Sequence, residues 1–207
     1  MSPTHQIDEA ESAAPDVRAA LRQAMPGISA CDLERFVQSV SLPEPYAPGV
    51  DAQPQAGVPT GLLSRHHLTD SDVYPGVPRD FHVYVSAQCT HDTPACLMIF
   101  QDGERYLGPE AKTPIVLDNL VAEGAMPPMV AAFVQPGSPG PGLPIYGGEG
   151  NRSVEYDSPD SRYSRFLLEE LMPAIERIQR ISGDPTHRAL CGISSGAAVR
   201  RALFVSR

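Results

Sequence analysis

The chain has 207 residues, enough for one domain with a core of its own and a short appendage. Hydrophobic residues make up 42% and charged residues 20%, a globular composition, while 22 prolines argue against an all-helical bundle. The formal net charge of −9 disfavours nucleic acid and anionic membranes as partners, because both reward a basic face. No run approaches ~18 consecutive apolar residues, so no transmembrane helix is expected. Met1 to Ser12 lack the basic-then-apolar order of a signal peptide, and a cytoplasmic protein is the expectation. Cys31, Cys89, Cys96 and Cys191 fall in no zinc spacing, so reduced thiols and no bound metal are expected.

In chain order, Asp16 to Met25 and Ala30 to Val40 carry apolar residues at helical spacing and are split by Pro26-Gly27. They define a helical arm over residues 1–42. Residues 43–60 are rich in Pro and Gly and read as a linker or a wrapped arm. From residue 61 to 207 strands alternate with helices. Strands are expected at Ser64 to Thr69, Asp80 to Val85, Ala95 to Phe100, Met129 to Val134 and Arg188 to Cys191. Helices are expected at Thr113 to Glu123 and Tyr163 to Arg180, with another restarting at Ser195, and residues 135–162 read as a long loop. Such alternation indicates an α/β fold with a mainly parallel sheet.

The segment Cys191-Gly192-Ile193-Ser194-Ser195-Gly196 contains G-x-S-x-G between a buried strand and a helix start. Glycines two positions to either side of a serine relieve the crowding of a sharp strand-to-helix turn and leave its hydroxyl exposed. Ser194 is therefore the candidate nucleophile. The backbone N–H of Ser195, at the helix start, would face an oxyanion. A second donor is expected from the loop after strand ACLMIF, at Asp102-Gly103, as the N–H of Gly103 or of Glu104, with glycine permitting close backbone approach.

Several segments together resemble the enterochelin esterase-like branch of the esterase D type of α/β-hydrolases. They are Tyr74-Pro75-Gly76 with Arg79 to Val85, Met98 to Gly103, Leu117-Asp118-Asn119-Leu120 with Pro127-Pro128-Met129, and Arg152 with Glu155-Tyr156-Asp157. Tyr163 to Pro173 and Arg188 to Gly196 complete the set, in order, over residues 64–197. The resemblance implies an α/β-hydrolase-like sheet and hydrolysis of small-molecule carboxylic esters by a Ser-His-acid triad, without metal or other cofactor. It also implies a charged pair, Arg152 and Glu155, near the substrate.

The chain departs from that family after the elbow. The residues following Gly196 read AAVRRALFVSR and include no Asp, Glu or His, so the hydrolase domain is expected to be C-terminally incomplete. His187 opens the elbow strand, and seven extended residues at ~3.3 Å put it roughly 23 Å from Ser194. His66, His67, His82 and His91 lie in earlier strands or loops, and His5 lies in the polar tail. A serine without a base is a poor nucleophile, so turnover is expected to be absent or very weak. The alternatives are a non-catalytic binding or pseudoenzyme module and a partner subunit that supplies the missing half. The elbow strand is expected to form an unprotected apolar edge through which the chain self-associates.

Overall fold

A computed structural model describes residues 17–40, 48–138 and 151–198. They belong to two compact units, Met1–Ala47 and Pro48–Arg207. The acidic tail, the start of the Pro/Gly-rich segment, the middle of the 135–162 loop and the Arg200-Arg201 run lie outside the described residues.

The first unit is a pair of helices, α1 (Val17–Ala24) and α2 (Ala30–Val40). Ser29 caps α2: its hydroxyl accepts from the Asp32 N–H at 3.1 Å and donates to the Asp32 carboxylate at 2.7 Å. A forked pair between Arg18 and Glu34, at 3.1 and 3.0 Å, joins the two helices.

The second unit is built on five strands: β1 (Leu62–Leu68), β2 (Arg79–Val85), β3 (Cys96–Gln101), β4 (Met129–Val134) and β5 (Arg188–Cys191). Their order across the sheet is β1-β2-β4-β3-β5. β4, β3 and β5 pair in parallel, whereas β2 runs antiparallel to both of its neighbours. β2 alone therefore opposes the other four. The mainly parallel α/β sheet expected from sequence is present, with its first strand beginning at Leu62.

Alternation along the strands sorts the core into two faces. In β4, buried throughout, Val130, Ala132 and Val134 join one cluster and Met129, Ala131 and Phe133 the other. The second cluster is covered by α4 (Thr113–Ala122), through Leu117 and Val121. The first is covered by a helix that runs without a break through α6 (Arg162–Arg165), a π-helical stretch (Phe166–Leu171) and α7 (Met172–Glu176). Pro173 accounts for the widened stretch, since it supplies no N–H and its ring would press on a carbonyl of the preceding turn. This helix stops four residues short of Arg180 because the Arg180 carbonyl accepts from Ala95 N–H and Ile181 bridges to Ala95.

Residues 48–60 pack on the sheet domain. Asn119, buried in α4, donates to the carbonyls of Asp51 and Gln53 at 2.7 and 2.9 Å. Asp118 accepts from Gly61 N–H at 2.8 Å and from the Tyr84 hydroxyl at 2.6 Å. These bonds give a structural account of Leu117-Asp118-Asn119-Leu120.

The expected 135–162 loop contains a helix, α5 (Arg152–Tyr156). A fully buried ion pair anchors it: Arg79 of β2 donates to both Glu155 oxygens, at 2.7 and 3.0 Å, with neither side chain exposed. The Arg79 guanidinium stacks 3.8 Å over Phe166, and Glu155 also accepts from Gly137 N–H and Asn151. Removing one partner of such a pair strands a buried charge, which is more costly than replacing both. Glu155→Gln should lower unfolding free energy by about 3–5 kcal/mol in urea titrations, and the double variant Arg79→Met/Glu155→Leu should lose less. A Glu155→Gln loss below about 1 kcal/mol would refute the anchor.

Candidate active site

Ser194 sits between β5 and α8 (Ser195–Ala198), at a φ of 58°. This left-handed conformation costs an L-residue about 1–2 kcal/mol, and the packing around the turn enforces it. A side chain at Gly192 would collide with the Gly196 carbonyl, and one at Gly196 would lie 3.1 Å from Gln101 Cβ and 3.3 Å from Asp102 Oδ2. The two glycines thus let α8 leave the strand end tightly against β3. The Ser195 N–H, at the first position of α8, has no acceptor among the described residues.

Across the cleft, β3 ends in Gln101 and turns at Asp102 into α3 (Glu104–Leu107). Asp102 also has positive φ, 55°. Of the two residues expected to supply the second donor, Gly103 has its N–H engaged, donating to the Val134 carbonyl at 3.0 Å. Glycine is required there for another reason: a Cβ would overlap the Phe133 backbone. The Glu104 N–H, the other expected donor, is without an acceptor among the described residues.

Ser194, Ser195 and Ile193 line a cleft of about 730 Å³ together with Gln101, Asp102, Tyr106 and Arg152. Arg152 and Glu155 share α5 but pair elsewhere. Glu155 is buried on Arg79 and does not line the cleft, whereas Arg152 faces it and forks onto Asp102 at 2.8 and 2.7 Å. The Asp102 carboxylate holds the Arg152 guanidinium more firmly charged than usual. Burial, reinforced by a bond from the Cys191 thiol, pushes the Tyr106 hydroxyl up to about 12, so it stays protonated at neutral pH.

Asp102 and Tyr156 stand in segments singled out from the sequence, but without the side-chain roles the structure gives them. Asp102 is legible only as part of a turn, and nothing in Tyr156 shows that its hydroxyl accepts the Asp102 N–H, at 3.3 Å. None of the described histidines is placed to serve Ser194. His67 pairs with Asp80 at 2.7 Å on β1, four strands from β5, or roughly 19 Å at ~4.8 Å per step. His66 bonds Ser64 and stacks on Phe81. His82 lies on β2, and His91 precedes β3 at the end of the sheet opposite Ser194. His187 bonds Ser182 at the far end of β5. Among the described residues no group of three or more His, Cys, Asp or Glu could hold a metal ion, and no helix is long and apolar enough to cross a membrane.

The sequence matches no protein-family model and no curated protein. Solved structures do match. The ferulic acid esterase from Anaeromyces mucronatus aligns with a TM-score of 0.56 at 19% identity, over 74% of this chain and 57% of that one. Enterochelin esterase from Shigella flexneri aligns at 0.59 and 19% identity, over 77% and 36%. A structure of the Shigella flexneri enterobactin esterase in the presence of enterobactin aligns at 0.58 and 16% identity, over 76% and 37%. The fold is α/β-hydrolase-like. The chain spans little more than half the length of the feruloyl esterase, and about a third of the enterochelin esterase.

The strain at Ser194 is measurable. Glycine bears positive φ without penalty and alanine does not, so Ser194→Gly should be more stable than Ser194→Ala by about 1 kcal/mol in chemical denaturation. Equal stabilities would mean position 194 is unstrained in solution.

Proposed function

We propose that this chain carries the nucleophile-bearing part of a cytoplasmic, cofactor-independent serine hydrolase acting on small-molecule carboxylic esters, of the lineage that includes enterochelin and feruloyl esterases. The observation that carries this reading is Ser194 itself, in left-handed conformation between a parallel strand and a helix, with close-packed glycines on both sides and a cleft in front. Likeness of fold to solved esterases supports it.

In the reaction, Ser194 Oγ attacks the ester carbonyl carbon while its proton passes to a base. The carbonyl π electrons move onto oxygen, and the oxyanion accepts from Ser195 N–H and Glu104 N–H. Collapse expels the alcohol, and water releases the acid from the acyl-enzyme. No described histidine can take the first proton. The 207-residue chain is therefore expected to turn over weakly, retaining oxyanion and binding effects of order 10³–10⁴ over water. That deficit is also what favours the second reading, a binding module that uses the same cleft without turnover.

Fluorophosphonate labelling followed by intact mass, with 4-nitrophenyl acetate hydrolysis alongside, separates the two. Slow stoichiometric labelling at Ser194, absent in Ser194→Ala, is expected. Wild-type protein that stays unlabelled under forcing concentrations would leave the binding reading in possession.

The β5 edge bears on assembly as well. No strand pairs with its outer side among the described residues, Ala189 is exposed on it, and Ile193 just beyond is 66% exposed. We propose that copies associate through this edge. Sedimentation velocity should show concentration-dependent association that Ala189→Lys weakens, and a monomer at every concentration would dispose of the idea.

A further inference from the structure

Asp102 poses a problem for an oxyanion site. Its backbone is in a conformation that L side chains avoid, and its carboxylate is only 11% exposed beside the elbow. A methyl placed on Gly196 would lie 3.3 Å from Asp102 Oδ2, so the negative charge adjoins the first turn of α8, which offers the Ser195 N–H. A poorly screened anion there would oppose any oxyanion forming at Ser194.

Arg152 and Tyr156, one turn apart on α5, close on Asp102 together. Arg152 Nε donates to Oδ1 at 2.8 Å and Nη2 to Oδ2 at 2.7 Å, occupying both carboxylate oxygens. The Tyr156 hydroxyl accepts the Asp102 N–H, and the Arg152 guanidinium lies 5.2 Å over the Tyr156 ring. Other charges facing the cleft are Arg105, which has no ion-pair partner among the described residues, and Asp157, which lies in the field of Arg152.

We propose that Arg152 is a positioning residue: it clamps the left-handed Asp102 turn that presents the Glu104 N–H, and it cancels the Asp102 charge beside the oxyanion site. The clamping half stands on the turn's geometry alone, whereas the charge half rests on the ester-hydrolase reading of Ser194. A guanidinium committed to a fork on Asp102 is not a free anchor for substrate.

Four proteins test this: wild type, Arg152→Gln, Arg152→Lys and the double variant Asp102→Asn/Arg152→Gln. The readouts are amide hydrogen exchange at Asp102 to Arg105, with β4 amides as the control for folding, and the fluorophosphonate labelling rate at Ser194. Arg152→Gln should speed exchange in the turn at least about tenfold with β4 unchanged, and slow labelling by about tenfold or more. The double variant has neither the fork nor an exposed charge, so its exchange should stay fast while its labelling recovers about threefold or more over Arg152→Gln. Arg152→Lys keeps the charge without the fork, so its labelling should recover further than its exchange.

Wild-type exchange in Arg152→Gln overturns the clamp. Labelling in the double variant as slow as in Arg152→Gln overturns the charge argument, since a merely structural role gives no rescue by removing Asp102's charge. Wild-type protein that never labels at Ser194 sinks the esterase reading and the charge half with it, while the exchange result still decides the clamp.

Discussion

The buried Arg79–Glu155 pair is the interaction on which the rest of the site depends. Both side chains are fully enclosed, and the fork satisfies both Glu155 oxygens while Arg79 Nε stays without a partner among the described residues. Gly137 N–H and Asn151 satisfy the second demand on Glu155, and Phe166 covers the guanidinium face. Arg79 belongs to a strand paired on both sides and Glu155 to a five-residue helix whose one buried apolar side chain is Tyr156. Such a helix has no independent stability. The ion pair and the packing of Tyr156 on Tyr163 hold it against the core, which places Arg152 beside Asp102.

From α5 a chain of contacts reaches the elbow. Arg152 and Tyr156 hold Asp102, Tyr156 packs edge-on against Tyr163, and the Tyr163 hydroxyl donates to Gln101. Gln101 and Asp102 in turn lie against Gly196, the residue whose lack of a side chain lets α8 close down on β3. Three non-glycine residues among those described have positive φ, and two of them, Asp102 and Ser194, line the same cleft. Strain concentrated at one place must be held by its surroundings, and the polar contacts radiating from α5 do that.

Much of the fold is legible in the sequence for a local reason. Continuous apolar runs such as Met129 to Val134 can lie only between two covering layers, and alternation in Asp80 to Val85 marks a strand with two unlike faces. The G-x-S-x-G segment is legible too, since Gly192 and Gly196 answer a crowding problem that any sharp strand-to-helix turn poses. The short helix α5 is not legible, because its reason for being helical is an arginine 76 residues before Glu155 in the chain. The sequence leaves Gly103 and Glu104 open as the second backbone donor; the Gly103 N–H is taken by Val134, and its small size serves close packing on Phe133. Both outcomes belong to strand order, which a parallel crossover sets at long range.

By itself, then, the sequence determined the class of fold, the two apolar faces of the sheet and the position of the serine turn, all of which come from hydrophobic period and from glycine spacing. Tertiary structure alone decided which polar groups meet. It separated Arg152 from Glu155, gave one to Asp102 and the other to Arg79, and tied the Gly103 N–H to Val134 while leaving that of Glu104 without an acceptor among the described residues. The physical reason is that a charge or an N–H is defined by its partner, and here each partner comes from a different strand or helix brought alongside by the sheet.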